Sequence, residues 1–376
     1  MKGKGLHMAF ILTAIVLIMP LLMQPLPFIK FDELKGYFIK PEPVQLTCNN
    51  WKNEEFQKAA EEVLKYKLRC RPILVKIYNQ YRYWMFREFS AASVVKGKNG
   101  YFFETHYISS YLGENYIGKN LIASKLENLQ KVTDTLASKG VSFLLVIAPG
   151  KASALKEYLP EQYDQSVPGP TNYKDFTQIL SELRIHYIDF HDFFINAMDT
   201  AHYPLYPKGG THWSMYGSYI AFDSIHRYME YLLKRELNSY EYFHYEKSKK
   251  PRVSDRDIEA ATNLLFYQNT EELIYPFLRV TETHFMPCLL TIADSYYWTM
   301  VNSGLPKLFF RDFNFWYYFK ENHSNKADEP AMVSDYTDLK KEIEKRDIIL
   351  FMITEGNLYD FSWDFVEKMT EIYNIR

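Results

Sequence analysis

Residues 141–148 read Val-Ser-Phe-Leu-Leu-Val-Ile-Ala and stop at Pro149-Gly150. An apolar run of this length, closed by turn formers, is a strand buried on both faces, which is the habit of parallel sheets flanked by helices. Comparable strands are predicted at Ile185–Asp189, Cys288–Ala293, Lys307–Phe310 and Ile348–Ile353. Between them, Leu121–Ser138, Phe176–Leu183 and Met215–Leu233 space their apolar residues as amphipathic helices. Alternation of this kind predicts an α/β fold of three layers, a parallel sheet between two helical layers. Val94-Val95 and Tyr101-Phe102-Phe103, around Lys96–Gly100, read as two short strands about a turn that opens this domain, which is expected to run over 94–376. The polar, charged stretch from Asn238 to Asp257 reads as an excursion from it.

The amino-terminal segment is of another kind. Between Lys4 and Lys30 no charge interrupts about 25 residues rich in Leu, Ile, Met and Phe, a length that crosses a bilayer core. Met19–Pro25 lacks a small-x-small cleavage site, so residues 1–30 are expected to be a cytoplasmic tip and an uncleaved transmembrane signal anchor. Lys2 and Lys4 precede the run with no basic cluster directly behind it, which places the amino terminus in the cytoplasm and the remainder outside. Residues 31–93 form a stem, with Pro41 and Pro43, and then two helices, Glu54–Lys67 and Ile73–Phe89. The second is crowded with aromatics such as Tyr78, Tyr81, Trp84 and Phe86, and packing against protein is the reading preferred over a membrane interface.

A net charge of −2 gives no basic field for nucleic acid. Three cysteines are too few for a disulfide scaffold; Cys48 and Cys70 could pair in an oxidising compartment, and Cys288 reads as a small buried hydrophobe. His186, His191 and His202 have no second motif to complete a metal site, so neither a metal nor a cofactor is expected.

Two segments carry chemistry. Gly209-Gly210-Thr211-His212-Trp213-Ser214 sets an imidazole between a Gly-rich loop and a helix start, and Leu290–Ala293 runs straight into Asp294-Ser295-Tyr296 at a strand's carboxyl end. Open α/β sheets hold ligands at that edge. A serine hydroxyl becomes a nucleophile when a histidine removes its proton. Taken singly, the first could be a loop packed on an aromatic ring and the second a helix N-cap.

Gly97–Phe103, Ala148–Lys151, Tyr187–Phe190, Thr211–Ser214 with Gly217, Ala293–Tyr296 and the strand leading into Glu355, in that order, resemble the alginate O-acetyltransferase-like (AlgJ/AlgX type) group of SGNH hydrolase relatives. The histidine block precedes the serine block, the permuted order of that group. The resemblance implies that Ser295 accepts an acyl group, that His212 is its base, and that the substrate is an exported polysaccharide. It also implies a multi-pass membrane acyltransferase as acetyl donor and a catalytic domain outside the cytoplasm.

One element departs from the pattern. Family members have an acid two places before the histidine, and Gly210 stands there. Adjacent side chains leaving a strand diverge, so Asp294 is a poor partner for the imidazole. Glu355 emerges from the same sheet edge as Ser295 and is favoured; Asp189, Asp192 or a backbone carbonyl remain open. Lys151, Thr211, Trp213, Asp294 and Tyr296 are the candidate substrate contacts. The leading expectation is a membrane-anchored polysaccharide O-acetyltransferase working through a Ser295 acyl-enzyme. The alternatives are a non-catalytic polysaccharide-binding component, which would account for Gly210, and a carbohydrate esterase.

Overall fold

A computed structural model describes residues 2–24, 31–36 and 40–375. The chain divides into two compact units, 1–92 with 259–268, and 93–258 with 269–376.

In the first unit the helices are α1 (Lys2–Met23), α2 (Cys48–Lys52), α3 (Glu55–Lys67) and α4 (Arg71–Phe86). The apolar run forms α1, with Pro20 inside it, where a proline removes an intrahelical hydrogen bond. Among the described residues no helix is long and apolar enough to cross a membrane, so the expected spanning helix is not supported here. Residues 25–30 and 37–39, parts of the expected anchor and stem, lie outside the described residues. Cys48 is exposed, Cys70 is buried, and both are free thiols, so the possible disulfide is not formed.

The second unit holds strands β1 (Val94–Lys96), β2 (Phe102–Glu104), β3 (Ser142–Ala148), β4 (Tyr187–Asp189), β5 (Ser239–Ser248), β6 (Leu273–Glu282), β7 (Cys288–Ala293), β8 (Asp312–Tyr317), β9 (Glu321–Ser324), β10 (Ala327–Met332) and β11 (Ile348–Thr354). The main sheet runs β10-β9-β8-β7-β11-β3-β4. Its five strands from β8 to β4 are parallel, and β9 and β10 extend it antiparallel at one edge. Side chains of β11 alternate strictly. Ile348, Leu350 and Met352 enter a core shared with the helix Met215–Leu233, and Ile349, Phe351 and Ile353 enter another shared with Lys119–Ser138 and Phe365–Ile372. Period-two alternation into two separate cores is the three-layer α/β arrangement.

Two expectations differ from the fold. Leu305–Phe309 is a short helix with Pro306 in its first turn, and the strand follows at Asp312–Tyr317; the short run Lys307–Phe310 has apolar content but no strand periodicity. The supposed excursion contains β5, a ten-residue strand paired antiparallel with β6 along its length. Its exposed residues mix Glu241 and Lys247 with Phe243, His244 and Tyr245, and a register shift between Tyr242 and His244 breaks the period-two alternation, which hid the strand from a reading based on apolar pattern.

Candidate active site

β7 ends at Ala293, and the chain turns at once into a 3₁₀ turn, Ser295–Tyr297. Asp294 makes this turn possible. One carboxylate oxygen accepts from the Tyr296 amide at 3.0 Å, and the other accepts from Thr354 N, Thr354 Oγ1 and Asn357 Nδ2 at 2.7, 2.7 and 2.8 Å. Fully buried and saturated with donors, Asp294 ties the Ser295 turn to the end of β11 instead of standing open as the substrate contact expected of it.

His212 arrives on the loop before the helix Met215–Leu233, and nearly every residue of that loop is fastened. Ser214 caps the helix through Gly217 N at 3.0 Å and donates to Pro204 O. Gly217 has no room for a side chain, since a Cβ would lie 2.8 Å from Leu205 O. Trp213 is wholly buried and stacks on Phe194. Tyr296, also buried, donates its hydroxyl to Thr211 O at 3.1 Å and sets its ring edge-on against His212. Thr211 donates its hydroxyl to Glu104 at 2.7 Å. Lys151, 1% exposed, donates to the carbonyls of Pro207, Lys208 and Gly210 at 2.7, 3.1 and 2.5 Å. Trp213, Tyr296 and Lys151 therefore shape and hold the histidine loop from within, contrary to their expected place against substrate. Lys151→Met is expected to leave these carbonyls without their cation and to lower stability by about 2–4 kcal/mol, read as a fall in the denaturant midpoint.

The loop and the turn meet. His212 Nε2 lies 2.9 Å from Ser295 Oγ. Nδ1 on the far side of the ring lies 2.7 Å from Asp257 Oδ2, close but off the N–H axis, a contact that becomes an ion pair only when the ring is protonated. Catalytic contacts in substrate-free sites are commonly poorly aligned, and this distance fixes the partner. Asp257 is held in turn, its other oxygen accepting from Thr211 N at 2.9 Å and from Ile258 N at 2.7 Å. With a carboxylate at Nδ1 the ring proton belongs there, which leaves Nε2 free to accept from the serine hydroxyl.

Asp257 was not among the candidate acids. Glu355, which was, points elsewhere: it accepts from Ser153 Oγ and from Gly150 N at 3.2 Å, and its nearest imidazole is His191 at 3.8 Å. The reason is lateral. β11 lies between β7 and β3, and the side chain leaving it turns toward the β3 loop rather than toward β7. Asp189 bonds Tyr173, and Asp192 bonds His191.

The space beside Gly210 accounts for the missing family acid. A Cβ at 210 would lie 2.3 Å from Ser254 O and 3.0 Å from Asp255 C. The chain over 254–257 occupies the room that a side chain at 210 needs, and the same passage delivers Asp257 to the imidazole. Asp255 secures it: buried, its carboxylate accepts from Met215 N at 3.2 Å, and burial pushes its pKa up to about 7.

Burial pulls the His212 pKa down, but the charges of Asp257, Glu104 and Asp294 outweigh it and the net direction is upward. The Tyr318 hydroxyl, on the residue after β8, also interacts with Ser295 and Asn357. Glu104 and Tyr318 carried no signal of their own in the sequence. Asp257 sits 45 residues beyond the histidine, at no spacing that marks a triad.

Residues 94–256 match the family model described as SGNH hydrolase-like domain, acetyltransferase AlgX. His212 falls inside the match; Asp257 and Ser295 lie beyond it. No curated protein matches the chain. Among solved structures it is similar to the O-acetyltransferase domain of Pseudomonas putida AlgJ, at 14% identity and a TM-score of 0.49, covering 74% of this chain and 99% of that one. Bacillus cereus PatB1 is similar at 12% identity and a TM-score of 0.44, covering 70% and 96%. Pseudomonas aeruginosa AlgX is similar at 12% identity and 0.44, covering 71% and 66%. The family match spans under half of the chain, and over residues 94–256 the chain is similar to the SGNH hydrolase-like domain of the AlgX acetyltransferase family.

Proposed function

We propose that the protein is an O-acetyltransferase that carries an acetyl group on Ser295 and delivers it to a hydroxyl of an exported or cell-surface polysaccharide. The observation that carries this reading is the Ser295–His212–Asp257 chain of contacts, 2.9 and 2.7 Å, at the carboxyl edge of a parallel sheet. His212 takes the serine proton as Oγ attacks the acetyl donor, then returns it to the departing group. In the second half the sugar hydroxyl gives its proton to Nε2 and attacks the acetyl carbon, and Ser295 leaves as the free hydroxyl. Asp257 holds the ring and stabilises the imidazolium in both halves.

Membrane attachment through the charge-free run before Lys30, an extracytoplasmic site and a multi-pass membrane acyltransferase as donor belong to the same proposal. The vacancy at 210 favoured a non-catalytic relative, and Asp257 removes that argument. The chain treated with a chromogenic acetyl ester is expected to gain about 42 Da on Ser295. Passage of that acetyl to an added oligosaccharide supports the transferase, release to water alone supports an esterase, and absence of the adduct sinks both.

The charge at His212 sets a pH dependence. As base the imidazole must be neutral, and its pKa is raised, so kcat/KM is expected to fall on acidification with a midpoint above the ordinary histidine value of about 6.5. A pH–rate profile with its acid limb below that value would contradict the assignment.

A further inference from the structure

Helix α4 is built inside out. The side chains it buries are Asn79, Gln80 and Tyr83, which lie on one face. Asn79 donates to Thr262 O at 3.1 Å, and Gln80 accepts from Phe266 N at 3.0 Å. The opposite face presents Leu74, Ile77, Tyr78, Tyr81, Trp84 and Met85 to the surroundings, with Trp84 59% and Tyr78 57% exposed. Phe266, itself exposed, stacks on Trp84 and widens the patch. A helix facing water is expected to show the reverse arrangement.

Three observations identify what covers this face. Its composition, tryptophan and tyrosine among aliphatics, is that of side chains at the boundary between headgroups and acyl chains. The segment from Val63 to Arg87 holds seven Lys or Arg and no Asp or Glu; Lys65, Lys76 and Arg82 pair with Glu61, Glu62, Asp32 and Glu88 outside it or beyond its ends, which leaves a local surplus of positive charge within a chain of net charge −2. The residue after α1 is bonded to the turn before α4: Gln24 donates to Lys67 O and accepts from Arg69 N, both at 3.0 Å. That bond sets the apolar segment beside the aromatic helix.

We propose that the exposed face of α4 docks on an anionic lipid bilayer, with its aromatic side chains in the interfacial layer and its basic residues against lipid phosphates. The docking does not require α1 to cross the bilayer, and it is independent of the acyl-transfer chemistry. The full chain, bound to phosphatidylcholine/phosphatidylglycerol vesicles with brominated acyl chains, is expected to show strong quenching of tryptophan emission. Trp51 and Trp84 are the exposed tryptophans among the described residues, so W84F is expected to weaken that quenching at least about twofold. Y78S/Y81S, which changes only exposed positions, is expected to shift Trp84 toward aqueous iodide. Equal quenching in wild type and W84F overturns the proposal. So does iodide quenching of Trp84 that vesicles leave undiminished, the outcome expected if another protein covers this face. Acyl transfer should be unaffected by W84F, which separates failure here from failure of the catalytic reading.

Discussion

Asp257→Asn is expected to lower acyl transfer by about four orders of magnitude with the fold intact. Both the tautomer and the charge at His212 depend on this carboxylate. Asp257 is the carboxylate in contact with His212 Nδ1, so it holds the ring proton on that side and steadies the cation that forms when Nε2 takes the serine proton. An amide can present its nitrogen to Nδ1, which favours the wrong tautomer and sets an N–H toward Ser295. Two of the present hydrogen bonds, from Thr211 N and Ile258 N, go to the other carboxylate oxygen and can be kept by the amide oxygen, so little stability should be lost. The variant should also move the acid limb of kcat/KM to lower pH, because Asp257 is the largest influence raising the His212 pKa. Glu355→Gln serves as the control, since it alters a carboxylate tied to Ser153 and Gly150. If Glu355→Gln shifts the limb and Asp257→Asn does not, the assignment of the acid is wrong.

Ser295→Ala is expected to cost about six orders of magnitude and to remove the acetyl adduct altogether. Ser295 is partly exposed at the sheet edge, and its turn is held by Asp294 rather than by its own hydroxyl, so removing one oxygen should leave the backbone in place. His212 would then face an empty position at Nε2. Single-turnover acetylation followed by mass spectrometry separates the outcomes: an adduct that persists in the alanine variant would locate the acyl acceptor elsewhere. The double variant with Asp257→Asn should be scarcely slower than Ser295→Ala alone, since the residues act on one proton transfer and their losses do not add.

Much of the fold was legible because burial on both faces writes itself into composition. Val141–Ala148 and Ile348–Ile353 are apolar at nearly every position and became adjacent parallel strands. Met215–Leu233 was bounded correctly because Ser214 is a capping residue ahead of an amphipathic period. β5 was missed because a register shift breaks its alternation, and its pairing with β6 is a long-range fact. Lys151 was misread because a lysine after a turn is ordinarily exposed, whereas here three carbonyls of a loop more than fifty residues away converge on it.

Local sequence is enough to specify the kinds of element, the strand ends that present polar side chains, and a serine and a histidine in contexts suited to each other. These depend on neighbours within a few residues. That the two meet, and that Asp257 is the acid beside them, follows from long-range packing. Gly210 leaves a gap that the backbone of Ser254 and Asp255 fills, and the same turn carries Asp257 to the imidazole. A vacancy and its compensation 47 residues apart share no local pattern; they are related by the volume they compete for, and volume is a property of the packed chain.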